Sequence, residues 1–169
     1  MLQTLDLVTV DRTRLDRSLW YSGYLLTVLA SGEETGGRFS LVEEVGRKGV
    51  SADPPLHMQT REEESFYVIE GEVTFYVGDD VIHATAGSYV QMPRGVPHRF
   101  TLESEHVRML NLCSPAGFEG FFRALSVPAE AMTLPPPPEG PPDIEHLIRT
   151  AAAYGVEILG PPPAAGDQP

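Results

Sequence analysis

Pro54-Pro55-Leu56-His57-Met58-Gln59-Thr60-Arg61-Glu62-Glu63-Glu64-Ser65-Phe66-Tyr67-Val68-Ile69-Glu70-Gly71 is the most informative stretch of this 169-residue chain. Residues two apart on a strand face the same side, so His57 and Gln59 point together. Glu64 opens the following strand, and alternation sets it on one face with Phe66 and Val68. A carboxylate on an apolar, core-facing stripe needs a partner, because burying it alone is expensive. A metal ion is one partner that removes that cost. Glu62 and Glu63, immediately before it, are expected to face solvent.

A second stretch, Gly87-Ser88-Tyr89-Val90-Gln91-Met92-Pro93-Arg94-Gly95-Val96-Pro97-His98, carries the matching half of the argument. Pro93, Gly95 and Pro97 enforce a sharp turn. They deliver His98 to the start of a strand whose inward face is His98, Phe100 and Leu102. Two histidines and a glutamate on core faces make a set of metal ligands, with Gln59 as a fourth candidate. Imidazole and carboxylate donors suit a single divalent transition metal such as Fe, Mn, Ni, Co or Zn.

Outward from these segments the texture is β. Tyr24–Leu29 and Phe39–Val45 are rich in β-branched and aromatic residues, and the separator at residues 31–37 reads as a hairpin turn. Phe66–Ile69, Val73–Val77, Val81–Ala84, Ser88–Met92, Arg99–Leu102 and Val107–Cys113 continue the series, with Gly78-Asp79-Asp80 as another tight turn. Short strands at this spacing point to a sandwich or barrel. Residues 1–19 read as a leading strand or arm. After Ser114 the pattern changes. Phe118, Phe121, Phe122 and Leu125 share the face of a short helix, where packing is the expected role. The prolines at 135–138 and 141–142 break regular structure. Asp143 can cap a second helix carrying Ile144, Leu147, Ile148 and Ala151. Gly160–Pro169 is expected to fray. The division is therefore a barrel at residues 1–114 and a helical, Pro-rich extension at 115–169 packed on it.

The two metal-ligand segments resemble the two motifs of the cupin superfamily. His57-x-Gln59, four residues, Glu64, six residues, Gly71 follows the first motif, with Gln59 where the family usually has a second histidine and no leading Gly at the usual spacing. Gly87, five residues, Pro93-Arg94-Gly95, two residues, His98 follows the second, with Leu102 in place of its Asn. Residues 36–43, 115–122 and 154–159 are similar to single-domain, quercetinase-like bacterial cupins. The resemblance implies an all-β fold, a double-stranded β-helix or jelly-roll barrel with short C-terminal helices. It implies a metal inside the barrel held by His57, Glu64 and His98, and a homodimer. Three arrangements are open for Gln59: direct ligation, holding a metal-bound water, or marking a site that has lost its metal.

The resemblance further implies a dioxygenase acting on a flavonol-like or other enolisable aromatic, with Glu64 as both ligand and base. The walls of an apolar substrate pocket would draw on Met58, Phe66, Phe75, Met92, Phe100 and Met109, unless these only fill the barrel. A non-catalytic small-molecule-binding module and a cupin isomerase or cyclase are the other two classes. Composition narrows the partners. The net charge of −12, with no Lys/Arg cluster, argues against nucleic acid and anionic membranes. No basic-then-apolar leader opens the sequence, and the apolar runs are too short to span a bilayer, so the cytoplasm is expected. Cys113, the one cysteine, is expected to be a buried, inert thiol. His83, His106 and His146 read as solvated, and Arg94 and Arg99 as surface or ion-pairing groups.

Overall fold

The computed structural model describes residues 10–161. Part of the expected N-terminal arm and most of the expected frayed end lie outside the described residues. A 3-10 turn at Leu15–Arg17 leads into β1 (Ser18–Tyr21), β2 (Tyr24–Ala30), β3 (Ser40–Gly46), β4 (His57–Gln59), β5 (Glu63–Glu70) and β6 (Glu72–Val77). These are followed by β7 (Asp80–Thr85), β8 (Tyr89–Met92), β9 (His98–Leu102), β10 (Val107–Ser114), β11 (Val127–Pro128) and β12 (Val156–Ile158). Helix α1 (Gly32–Thr35) lies between β2 and β3, α2 (Glu119–Leu125) follows β10, and α3 (Ile144–Ala153) precedes β12.

The strands obey the two-residue rule. His98, Phe100 and Leu102 of β9 are buried, as are Val107, Met109, Asn111 and Cys113 of β10 and Val90 and Met92 of β8. One antiparallel sheet runs β11-β1-β2-β3-β10-β5-β8, and the other runs β12-β4-β9-β6-β7. They pack face to face as a jelly roll. The core between them is built around Phe66 of the first sheet and Phe75 and Phe100 of the second. Their ring centroids lie 5.4 to 5.8 Å apart, within the range of favourable aromatic pairs. The tight turn between β5 and β6 depends on Gly71, whose φ is +84°. A Cβ there would run into the His106 carbonyl oxygen.

The β2–β3 connection differs from the expected plain turn. The strands do pair as a hairpin, but the connector contains α1. The cause is local chemistry that the turn-like composition hid. Ser31 caps the helix and Glu34 reaches back to the Ser31 backbone N–H at 2.9 Å, a reciprocal capping box. Arg17 then clamps Glu34 through two bonds of 2.8 and 2.6 Å. The Arg17 hydrogen bond, helped by the Ser31 backbone N–H, holds the Glu34 carboxyl down at about 2. A folded value below the unfolded one stabilises the native state above pH 4.5, and that stabilisation is lost as pH falls towards 2. The stability advantage of wild type over Glu34→Gln is therefore expected to be constant near neutral pH and to vanish by about pH 2. Chemical denaturation of both proteins across that range checks it; a difference that survives at pH 2 contradicts it.

The segment after Ser114 does more than cover the barrel. β11 adds an edge to the first sheet through Leu19↔Pro128 and Trp20↔Val127. β12 adds an edge to the second through Val156↔Gln59, Glu157↔Met58 and Ile158↔His57. Asp143 caps α3, its side chain accepting from the His146 N–H at 2.9 Å. On that helix Ala151 is fully buried, Leu147 is half-buried, and Ile144 and Ile148 remain exposed. Among the described residues, no helix is long and apolar enough to cross a membrane.

Candidate metal centre and its cavity

His57 and His98 face each other directly across β4 and β9, with ring centroids 4.4 Å apart. Glu64 approaches from β5 in the opposite sheet. One donor atom from each of the three lies within 4.8 Å of the others. All three are buried, His98 to 1% exposure and Glu64 to 3%. The imidazoles are oriented from behind. His57 Nδ1 lies 2.8 Å from the Pro55 carbonyl oxygen, and His98 Nδ1 lies 2.8 Å from that of Val96. A carbonyl only accepts, so each Nδ1 carries the hydrogen and Nε2 keeps the lone pair of the neutral ring. Pro55 and Pro97, beside the carbonyl-bearing turns, restrict the backbone that supplies these acceptors.

Electrostatics fits a cation at this point. His98 Nε2 lies 3.1 Å from Glu64 Oε2. Burial pushes the Glu64 carboxyl up, but the His98 hydrogen bond and the charges of His98 and His57 together hold it below its ordinary range. Burial likewise pushes His98 down, and Glu64 outweighs it and raises the imidazole. His57 is lowered, by burial first and then by His98. The charged form of the His98–Glu64 pair, with a proton on the imidazole, is thus favoured, while burial disfavours a proton on His57. A metal ion would replace that proton as the positive partner.

Gln59 shares the inward face of β4 with His57 and is 1% exposed. Neither its Oε1 nor its Nε2 has a hydrogen-bond partner among the described residues. A buried primary amide with both ends unsatisfied costs about 1–3 kcal/mol. A metal, or a water held on one, would satisfy its oxygen. The donor set therefore fits a transition metal held by His57, Glu64 and His98, with Gln59 beside it. Gln59→Leu is expected to stabilise the chelator-treated protein by about 1–3 kcal/mol while weakening metal retention. Melting curves with and without chelator read both effects. Lower stability in chelator would show that the amide already has a partner.

Asn111, on β10, was not among the residues singled out from sequence. Its Nδ2 donates to Glu64 Oε1 at 2.7 Å, leaving Oε2 for His98 or a metal. Its Oδ1 accepts from the Cys113 thiol at 3.3 Å. Cys113 is buried, and burial pushes its thiol well above the ordinary range, as an inert cysteine requires. Glu44 of β3 is a second buried carboxyl in the same cavity, pushed up to about 8 by burial and then by the Glu64 charge. Neither residue sits in a recognisable motif. The available signal was a polar residue on an otherwise apolar alternating stripe, and its use required the strand register.

Of the residues proposed as pocket walls, Phe66 and Phe100 line the cavity beside the centre, and the others do not. Phe75, Met92 and Met109 fill the core at 0–1% exposure. Met58 projects to the other face of β4 from His57, as alternation demands. The missing wall comes instead from Phe118, Phe121 and Phe122 of the α2 region, with Tyr21, Val156 and Ile158. The aromatic stripe read as packing does pack, with Phe118 and Phe121 stacked at 5.1 Å, and it also faces the cavity. Glu62 is a further correction. It is buried at 4%, its Oε2 has no partner among the described residues, and burial raises its carboxyl. Glu63 remains partly exposed and accepts from the Arg94 backbone N–H at 2.8 Å. His83, His106 and His146 are exposed and distant from the cluster. Arg99 lies 3.8 Å above the Tyr76 ring, and the Arg94 side chain is exposed; neither lines the cavity.

Residues 48–113 match the family model of the cupin domain. A quercetin 2,3-dioxygenase of Bacillus subtilis (strain 168) is 26% identical over 134 residues, which cover 79% of this chain and 39% of that protein. The chain therefore spans about two fifths of that relative's length. Among solved structures, ectoine synthase from P. lautus is similar with a TM-score of 0.59 at 17% identity, over 82% of this chain and 98% of that one. KdgF from Halomonas sp. is similar with a TM-score of 0.52 at 16% identity, over 58% and 85% of the two chains. At such identities the structural likeness concerns the fold alone.

Proposed function

We propose, from the premise that this chain is a cupin, that it is a metal-dependent dioxygenase acting on a flavonol-like or other enolisable aromatic small molecule. The observation that carries this reading is the opening of His57 and Glu64, two members of the His57, Glu64 and His98 cluster, onto a cavity walled by aromatic rings. A bound transition metal would supply Lewis acidity and access to O2 chemistry. The chain's own residues supply the rest. Phe66, Phe100 and the α2 phenylalanines hold a flat substrate and keep water from it. Glu64 Oε2 takes the hydroxyl proton of the substrate, making the ring electron-rich, while Asn111 fixes the other carboxylate oxygen. His57 and His98 keep their Nε2 atoms directed by the backbone bonds behind them. The relationship to the Bacillus subtilis dioxygenase supports the substrate class.

A second reading is isomerase or cyclase chemistry without O2. The amide of Gln59, where cupins usually have an imidazole, favours it. Oxygen consumption separates the two. With metal-loaded protein and quercetin, O2 uptake matched to substrate loss is the expected result. Turnover of an aromatic or sugar-like substrate under argon would favour the second reading and end the first.

A further inference from the structure

The inner face of the seven-stranded sheet is mostly apolar, and a row of polar residues crosses it. Glu64 on β5, Asn111 on β10, Glu44 on β3 and Tyr24 on β2 occupy four successive strands. Each sits two residues off the direct partner of the one before: Glu64 pairs with Cys113, Asn111 with Val42, and Glu44 with Leu26. Such diagonal neighbours lie within side-chain reach. The four therefore form one oblique polar line running from the metal centre across the cavity wall. All four are buried and all four line the cavity.

The line is coupled at the Glu64 end and open at the other. Asn111 donates to Glu64 Oε1, and Glu44 lies diagonally beside Asn111 on the next strand. The Tyr24 hydroxyl, in a residue only 4% exposed, has no hydrogen-bond partner among the described residues. Glu43, the neighbour of Glu44, points the other way and is matched by Arg12 and Arg108, each at 2.9 Å. Glu44 has Asn111 as its diagonal neighbour instead. Burial and then the Glu64 charge raise it, and in either protonation state the carboxyl offers an oxygen that accepts. Tyr24, raised well above its ordinary value mainly by burial, keeps its proton and can donate as well as accept. Leucine or phenylalanine at these positions would pack the same face without buried polar atoms, so the polar groups call for a ligand.

We propose that Tyr24 and Glu44 form a second polar pole of the cavity, which binds an aryl hydroxyl of a ligand whose reacting oxygen lies at His57, Glu64 and His98. This deepens the dioxygenase reading and rests on it. It limits the substrates to aromatic molecules with oxygen functions at both ends. The hydroxyl accepts from the Tyr24 O–H and donates to a Glu44 oxygen.

The test is anaerobic titration calorimetry on the full chain loaded with Co(II), with quercetin and 3-hydroxyflavone as probes. Both carry the flavonol oxygens, and only quercetin carries further ring hydroxyls. Wild type is expected to bind quercetin about tenfold more tightly than 3-hydroxyflavone, the effect of one well-made hydrogen bond pair. Tyr24→Phe and Glu44→Leu are each expected to remove that preference, with 3-hydroxyflavone affinity and cobalt content unchanged. Tyr24→Phe deletes a hydroxyl without an intramolecular partner, so its folding is not at risk. Equal affinity for the two probes in wild type, or a preference kept in Tyr24→Phe, overturns the subsite and leaves the dioxygenase reading standing. Failure of wild type to bind either flavonol overturns the reading and the subsite together.

Discussion

His98→Ala is expected to abolish stoichiometric metal binding and to destabilise the metal-free protein by about 3–5 kcal/mol. His98 is 1% exposed, and its Nε2 is the near partner of Glu64 Oε2 at 3.1 Å. Removing it leaves a buried carboxylate whose burial is otherwise balanced by that imidazole. The loss exceeds that of an ordinary hydrogen bond because it leaves a buried carboxylate without its charged partner. His57→Ala should likewise lose the metal. His83→Ala should change neither property, because His83 is exposed and its ring meets the Thr74 hydroxyl, at 3.0 Å, away from the cluster. Metal content by plasma mass spectrometry and melting in chelator check the set. Equal metal in His98→Ala and His83→Ala would refute the assignment of the centre.

Phe75→Ala is expected to cost about 3–5 kcal/mol, lowering Tm by roughly 10 °C or more in a chain of this length. Phe75 has no exposed surface and its ring packs on both Phe66 and Phe100. Those two rings line the cavity, and Phe75 supports them from behind. The variant should still bind metal at 25 °C, since none of the three ligand side chains contacts it in the ring network. Loss of metal without loss of Tm would mean that Phe75 serves the site and not the core.

Much of the centre could be read before any coordinates. Strand alternation and the Pro93–Pro97 turn were enough to bring His57, Glu64 and His98 to one place, because each effect is local. The cavity was harder. Phe66 and Phe100 were found for the same reason, whereas Phe75, Met92 and Met109 share their inward alternation and differ only in depth, which depends on the packing of two sheets. Phe118, Phe121 and Phe122 were assigned to packing because helical periodicity reports a buried face without saying what it faces. Glu44 and Asn111 required the β3–β10–β5 register, a long-range property. Glu62 was assigned to solvent from its run of three acids, yet Gly117, from beyond β10, comes close enough that a Cβ there would contact its carboxylate. β11 and β12, at two and three residues, are too short for any periodic signal.

The pairing of β12 with β4 carries a consequence for how the protein matures. β4 meets β9 through the single pair His57↔His98 but meets β12 through three. The strand that presents His57 and Gln59 thus gains its longer ladder only after about 100 further residues have left the ribosome, a contact of high sequence separation and slow closure. A nascent chain ending before Val156 holds both histidines without the clamp that keeps β4 in place. His57 and Gln59 are therefore held on their full ladder only once Val156–Ile158 has docked.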